Sequence, residues 1–428
     1  METVASTIRT RRIHEPDVPE LTVLEVIFDR PDSSANTLDF ATLQALEEQL
    51  KAIEGDVSIR AVIFSSAKKT IFIAGADLQL LAQGPSDKEM LEEYLNLGQR
   101  VFNRLAALNI PTVATIHGAC LGGGYELALA CRYRIATPDK VTRIGLPETR
   151  LGIVPAWGGC TRLPRLVGIP RALDLILNGK TPTARQAIRY GMIDEIAPRE
   201  WLQKAALKAI HAHLADPKGP RNVALNFFHK AVALGIQHKV RADLMRKTRG
   251  HYPAPLKAME IILEGAGESD LSASLARERA AITELVQLPQ ARNLLHVFML
   301  QEAAKKQTRV YPGPAVRQAA VIGAGVMGSG IAQWLSSKGI QVILRDIDRE
   351  KVAAGMGRIG KLYREGVRRH TFTEREARDG IDRIVPASDE VPLEHADLVI
   401  EAAVEKLEVK RSLFAQLEDR VRPNTILA

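Results

Sequence analysis

The chain has 428 residues, 46% hydrophobic and 25% charged, an ordinary balance for a globular protein with length enough for more than one core. Its formal charge of +8 comes from bases spread along the sequence. The short clusters "KVRADLMRKTRGH" and "REGVRRH" read as solvated helix faces, and without an aromatic-rich basic motif beside them no nucleic acid is expected as a partner. Cys120, Cys131 and Cys160 give neither a closely spaced metal-ligand pair nor an even disulfide set, which points to a reducing compartment. The start lacks the apolar run of a secretory signal, and its acids count against a mitochondrial presequence. Leu105 to Tyr125 has no charged residue, yet Asn109, Pro111, His117 and glycines exclude a membrane helix there. The expected location is the cytoplasm, with association at a membrane surface left open.

In chain order, "LTVLEVIF" reads as a strand, Leu43 to Ile53 as a helix, "RAVIFSSA" as a strand, Leu91 to Leu108 as a helix and "PTVATIHG" as a strand. That alternation is an α/β pattern. From about Pro198 to Tyr311 strand signals vanish, and Leu256 to Leu263 and Leu275 to Leu288 have the spacing of amphipathic helices. "VYPGPAVRQ" is a hinge, after which "AAVIGAGVMGSGIAQWLSSKGIQVILRDID" predicts strand, glycine turn, helix and strand. The expected organisation is an α/β domain at 1–197, a helical linker at 198–312 and a second α/β domain at 313–428.

Chemistry concentrates at "HGACLGGGYELALAC", residues 117–131, where glycines precede the single charge, Glu126. A helix opening within Gly122 to Gly124 would present its first amides outward, with the positive end of the helix dipole, to an oxyanion. Glu126, three positions after Gly123, would share that face. Taken singly, the glycines would equally serve close helix packing, and Glu126 a first-turn cap. Two further stretches tip the balance. "TRIGLPETRLGIVPAWGGCTRLPRLVG" offers Glu148 just after Pro147, and "TIFIAGADL" ends a strand in Gly75-Ala76-Asp77, where a second outward amide would sit.

Together, "FIAGAD", "HGACLGGGYELALAC" and "GLPETRLGIVPAWGGCTRLPRL" resemble the signature segments of the enoyl-CoA hydratase (crotonase) family, in matching order, over residues 20 to 197. The resemblance implies a spiral of strand-strand-helix turns that binds acyl-CoA thioesters. It implies an oxyanion hole from the amides of Ala76 and Gly123, and a catalytic pair in which Glu126 acts chiefly on water and Glu148 chiefly on the α-proton. Members that isomerise, dehalogenate or cleave often lack one acid, so the pair favours hydration, with Δ3-to-Δ2 isomerisation as an addition. Other crotonase-fold lyases or isomerases, and a noncatalytic acyl-CoA-binding scaffold for a thiolase, are the alternatives. Tyr125 departs from the small residue or cysteine common in hydratases; it either narrows the pocket or points into the core.

"VIGAGVMGSG" contains Gly323-x-Gly325-x-x-Gly328 between a strand and a helix, and Asp346 ends the next strand. That is a Rossmann pattern: pyrophosphate at the helix N-terminus, the acid on the ribose, and NAD preferred over NADP, with Arg345 as the discordant neighbour. With "ADLVIEAAVEKLEVKRSLF" it is similar to the 3-hydroxyacyl-CoA dehydrogenase family, which implies that Met327, Glu405 and Lys410 line the nicotinamide side; a surface ion pair is the alternative for the last two. The two resemblances in this order are those of the α-subunits of bacterial fatty-acid β-oxidation complexes, and imply a thiolase partner. That family continues through a Ser-Asn-Thr-Ser segment and a catalytic histidine beyond "VRPNTILA", and His370 and His395 lack its strand-end context. NAD binding without dehydrogenase turnover is therefore expected of an incomplete Rossmann domain.

Overall fold

In a computed structural model, residues 7–15, 18–31, 33–78, 81, 88–215, 227–310 and 315–428 are described. The chain divides into two units, Met1–Ala304 and Lys305–Ala428.

The first unit opens with an antiparallel pair, β1 (Ile8–Glu15) and β2 (Val18–Phe28). Helix α1 (Phe40–Gly55) follows; the Asp39 carboxylate starts it by accepting from the Thr42 amide at 2.8 Å. Leu43, Leu46, Leu50 and Ile53 form its buried face, each worth about 1.5–3 kcal/mol when removed from water. The chain then repeats a strand–strand–helix unit: β3 (Ile59–Ser66), β4 (Ile71–Ile73) and α2 (Lys88–Ala107), then β5 (Thr112–Ile116), β6 (Ala119–Leu121) and α3 (Gly123–Ala130). A third unit begins with β7 (Tyr133–Ala136) and β8 (Arg143–Gly145), passes through a 3-10 turn at Glu148–Leu151, and reaches α4 (Gly159–Val167).

The first strand of each repeat enters one sheet and the second strand another. The larger sheet has the order β1-β2-β3-β5-β7-β9, closed by β9 (Glu195–Ile196), and is parallel from β2 onward. The smaller sheet is β4-β6-β8, wholly parallel. The result is the expected ββα spiral.

The helices beyond Pro198 share the core of this unit. After α5 (Ile169–Leu177), α6 (Ala184–Tyr190) and α7 (Leu202–Ala215) come α8 (Phe227–Thr248), α9 (Pro253–Glu264), α10 (Ser272–Leu285) and α11 (Pro289–Val310). Ala258, Ile261 and Ile262 of α9 and Ala281, Ile282 and Leu285 of α10 belong to the same apolar cluster as Val26, Phe64 and Trp157. Helix α10 stops at Leu285, three residues before the expected Leu288, because the chain turns there and Pro289 opens α11.

The second unit is a five-stranded parallel sheet. Its elements are β10 (Gln318–Ile322), α12 (Val326–Ser337), β11 (Gln341–Arg345), α13 (Arg349–Arg368), α14 (Glu374–Asp382), β12 (Ile384–Ala387), β13 (Leu398–Glu401), α15 (Leu407–Glu418) and β14 (Ile426–Leu427). The order β12-β11-β10-β13-β14 reverses direction beside β10, the switch point at which doubly wound sheets bind ligands. Among the described residues, no helix is long and apolar enough to cross a membrane.

Candidate functional site

The three strands of the small sheet end at one place. Beyond β4 lie Gly75 and Ala76, beyond β6 Gly122 and Gly123, and beyond β8 Pro147 and Glu148. Gly75 and Gly122 turn the chain with φ of +117° and +54°, conformations open to glycine and strained for other residues. The two turns touch: a Cβ on Gly75 would lie 3.2 Å from the Leu121 carbonyl oxygen and 3.8 Å from the Gly123 nitrogen. Neighbouring amides are already committed, Ala74 to the Asn36 carbonyl at 2.9 Å, Asp77 to Tyr94 Oη at 3.2 Å and Gly122 to the Gly145 carbonyl at 2.9 Å. Among the described residues, the amides of Ala76 and Gly123 have no acceptor. For Gly123 the cause is its place as first residue of α3.

Glu126, in the first turn of α3, is buried, and its Oε1 accepts the amides of Trp157 and Gly159, each at 2.8 Å. Burial pushes its carboxyl up to about 7, against the pull of those two amides and of the Arg162 guanidinium. Glu148 opens the 3-10 turn and is likewise buried; a Cβ on Gly122 would lie 3.0 Å from its Oε1. Its Oε2 has no hydrogen-bond partner among the described residues. Burial first, and the charge of Glu126 second, raise Glu148 well above the ordinary carboxylate range. Ala76, Gly123, Glu126 and Glu148 all line one cavity of about 480 Å³ whose remaining wall is mainly apolar. Two acids held above the ordinary carboxylate range and two unclaimed amides thus face one space.

The second unit has its own cavity, of about 850 Å³, beyond β10 and β11. Gly323 turns at φ +109°, where a Cβ would meet the Ala402 carbonyl oxygen at 2.5 Å, and a Cβ on Gly328 would fall 1.8 Å from the Gly323 carbonyl oxygen. Gly325 caps α12 and has open space where a Cβ would stand, so a diphosphate can approach the helix N-terminus. Asp346 lines the cavity and accepts the Ala324 amide at 2.9 Å. Arg345 is drawn to Glu390 at 2.6 Å, leaving Asp346 to meet the ribose; these residues fit a dinucleotide without a 2′-phosphate. Met327, Glu405 and Lys410 lie outside the walls of this cavity. Met327 is exposed, and Lys410 pairs with Glu401 at 2.5 Å and Glu405 at 3.2 Å. Gly328 supports the turn from behind, and His370 and His395 are exposed.

Residues 19–251, more than half of the sequence, match the family model "Enoyl-CoA hydratase/isomerase". The chain belongs to the enoyl-CoA hydratase/isomerase family. Residues 318–428 match the model "3-hydroxyacyl-CoA dehydrogenase, NAD binding domain". An enoyl-CoA hydratase/isomerase domain followed by this NAD-binding domain is the architecture of the fatty-acid oxidation α-subunit. Among solved structures, human mitochondrial Δ3-Δ2-enoyl-CoA isomerase is similar with 25% identity and a TM-score of 0.52, covering 69% of this chain and 99% of that one. A Streptomyces avermitilis protein assigned as an enoyl-CoA hydratase is similar in fold with 23% identity and a TM-score of 0.51, covering 71% of this chain and 94% of that one.

Several residues of this enoyl-CoA hydratase/isomerase cavity were not legible beforehand. Trp157 lines it and stands edge-on to Tyr94 and Phe102, with ring centroids 5.2 and 5.7 Å away. Ile282 of α10 and Leu294, Val297 and Phe298 of α11 supply apolar wall from helices that sequence spacing marks only as amphipathic. Tyr125, by contrast, is fully buried, donates its hydroxyl to the Met192 carbonyl at 2.9 Å and takes no part in the wall.

Proposed function

We propose that the first unit is a trans-2-enoyl-CoA hydratase. The observation that supports this best is the meeting of Glu126, Glu148 and the unclaimed amides of Ala76 and Gly123 on one cavity. The thioester oxygen of the substrate sits between the two amides. Glu126 takes a proton from a water held between the carboxylates as its oxygen bonds to C3, and the C2–C3 π electrons move toward the thioester oxygen as an enolate. Glu148 delivers a proton to C2, the π bond is consumed, and the product is a 3-hydroxyacyl thioester. The amides act where negative charge develops; losing one such donor costs about 10²- to 10³-fold in rate. The acyl chain lies along Leu294, Val297 and Phe298.

Δ3-to-Δ2 isomerisation is a second activity of the same pocket. It is favoured by Glu148, whose unpartnered Oε2 can take an allylic proton and return it on the same face.

The second unit binds NAD through Gly325, the start of α12 and Asp346. NAD, when bound, supplies hydride acceptance. His370 and His395 are exposed and stand outside the cavity of this unit. A cytoplasmic location and a thiolase partner are part of this proposal, and the α-subunit architecture is what supports them.

The deciding experiment is the loss of enoyl-thioester absorbance on mixing the chain with crotonoyl-CoA without NAD. Rapid loss is expected. No loss in a folded chain that still binds acyl-CoA would overturn the hydratase reading, and 3-enoyl-CoA then tests isomerisation alone.

A further inference from the structure

A third carboxylate is buried behind the cavity, and neither the family's signature segments nor the proposed chemistry uses it. Glu278, from α10, is fully buried. Its Oε2 accepts the Gly158 amide at 2.7 Å, and its Oε1 accepts the Thr161 amide at 2.8 Å and the Thr161 hydroxyl at 2.7 Å. Glu126 takes the amides of Trp157 and Gly159 from the same turn. The amides of 157, 158, 159 and 161 are thus dealt alternately to two carboxylates, and each carboxylate fixes peptide planes next to those that hold the other.

Counter-charge at this turn is scarce. The buried Arg162 donates to the Trp157 carbonyl at 2.9 Å and to Asn103 at 2.6 Å, and its charge acts on both acids. Arg165 is occupied by the carbonyls of Thr161 and Glu268. On α10 itself, Arg277 pairs with Glu268 and Arg279 with the Gln99 amide oxygen. The charges of Glu126 and Glu278 both act on Glu148, and the Cys160 thiol, pushed up by burial, is neutral. Two buried carboxylates facing one buried guanidinium do not ionise independently.

We propose that Glu278 is a positioning residue for hydration: by holding the amides of Gly158 and Thr161 it fixes the turn whose other two amides, of Trp157 and Gly159, aim Glu126 at the water. This rests on the hydratase reading of the cavity. Burial, then the charge of Glu126, lift Glu278 to about 8 against its hydrogen bonds and Arg162.

The test is the split of kcat from KM for crotonoyl-CoA in the parent, Glu278→Gln, Glu278→Asp and Thr161→Val, with butanoyl-CoA binding followed by calorimetry. A folded parent that binds butanoyl-CoA but does not hydrate would sink the hydratase reading itself. Given an active parent, Glu278→Gln, in which one acceptor oxygen becomes a donor facing the amides of the turn, is expected to lower kcat about tenfold or more with KM and butanoyl-CoA binding kept. Glu278→Asp, which keeps both acceptor oxygens, recovers part of that kcat. Thr161→Val keeps Glu278 but removes one donor to it, so it lowers kcat by less with KM kept, and decides alone if Glu278→Gln does not fold. A kcat unchanged in both Glu278→Gln and Thr161→Val, or in the folded one alone, or a kcat that falls only together with butanoyl-CoA binding, would reduce Glu278 to a structural group and overturn the proposal.

Discussion

Gly98 lies flush against the indole of Trp157: a Cβ on Gly98 would fall 2.3 Å from Nε1. Gly123 closes from another direction, where a Cβ would meet Cζ3 at 2.5 Å. Since the Trp157 amide also holds Glu126, the indole couples helix packing to the orientation of an acid. Gly98→Ala should displace Trp157, cost about 1–3 kcal/mol of stability and lower kcat. Denaturant unfolding and the crotonoyl-CoA assay check this, and a variant matching the parent in both would contradict it.

Glu126→Gln and Glu148→Gln should each lower kcat by about 10²- to 10⁴-fold. Both acids serve one water, so the double variant should fall by much less than the product of the two single losses. Circular dichroism should be unchanged. A variant retaining near-parental turnover would remove that acid from the mechanism.

The pH dependence follows from burial. Glu126 must be ionised to act as base, and its carboxyl is raised to about 7, so kcat/KM should climb with pH through that region. Glu148, raised well above the ordinary carboxylate range, must hold a proton, so the rate should fall again in alkali. The limbs belong to the pair rather than to single residues. A rate flat from about pH 5 to pH 9 would contradict these roles.

Stability shows the reverse trend. The folded chain binds protons on Glu126, Glu148 and Glu278 more tightly than the unfolded chain, whose glutamates titrate near 4.5. Their contribution is intact below that value and lost as pH rises through the raised ones. Glu278→Gln removes one such loss. Its deficit in Tm relative to the parent should therefore shrink between about pH 5 and about pH 8.5, by calorimetry; a constant deficit would mean Glu278 does not titrate there.

Gly122→Ala should injure the amide pair and crowd Glu148 while leaving both acids in the sequence. The new Cβ would stand 3.0 Å from Glu148 Oε1 on a backbone at φ +54°. A fall in kcat of about 10²- to 10³-fold with acyl-CoA binding kept is expected; loss of binding alone would place the damage elsewhere. In the second unit, Asp346→Ala should weaken NADH binding about tenfold and narrow the preference over NADPH, measured by calorimetry.

Much of this was legible because local signals were strong. β2, β3 and β5 are apolar runs between turn residues, and the glycines of 122–124 announce the helix start that presents the Gly123 amide. β1 gave no such signal, since Ile8 and Ile13 are its only apolar residues; pairing with β2 and the ion pairs of Arg9 with Asp29 and Arg11 with Glu25 support it instead. Glu278, between Arg277 and Arg279, looks like part of a solvated charged face, and its partners lie more than a hundred residues earlier. Met327, Glu405 and Lys410 carry no local signal of their own and rest on resemblance alone; the structure pairs the last two with each other. Periodicity reports what a helix buries, not which distant turn it meets.

The convergence of β4, β6 and β8 has a consequence for how this molecule can change length. Each rung delivers its functional group within a few residues of its last hydrogen bond, so the position of every group is reckoned from a rung and not from the preceding loop. One residue inserted between Leu121 and Glu126 would turn Glu126 by about 100° around α3. One inserted between Gly145 and Glu148 would carry that acid about 3.3 Å along the chain. The same insertion before a rung is absorbed where the spiral swings outward. Intolerance to insertion is concentrated in the three short exits 74–76, 122–126 and 146–148, and the long arcs between them are free to grow.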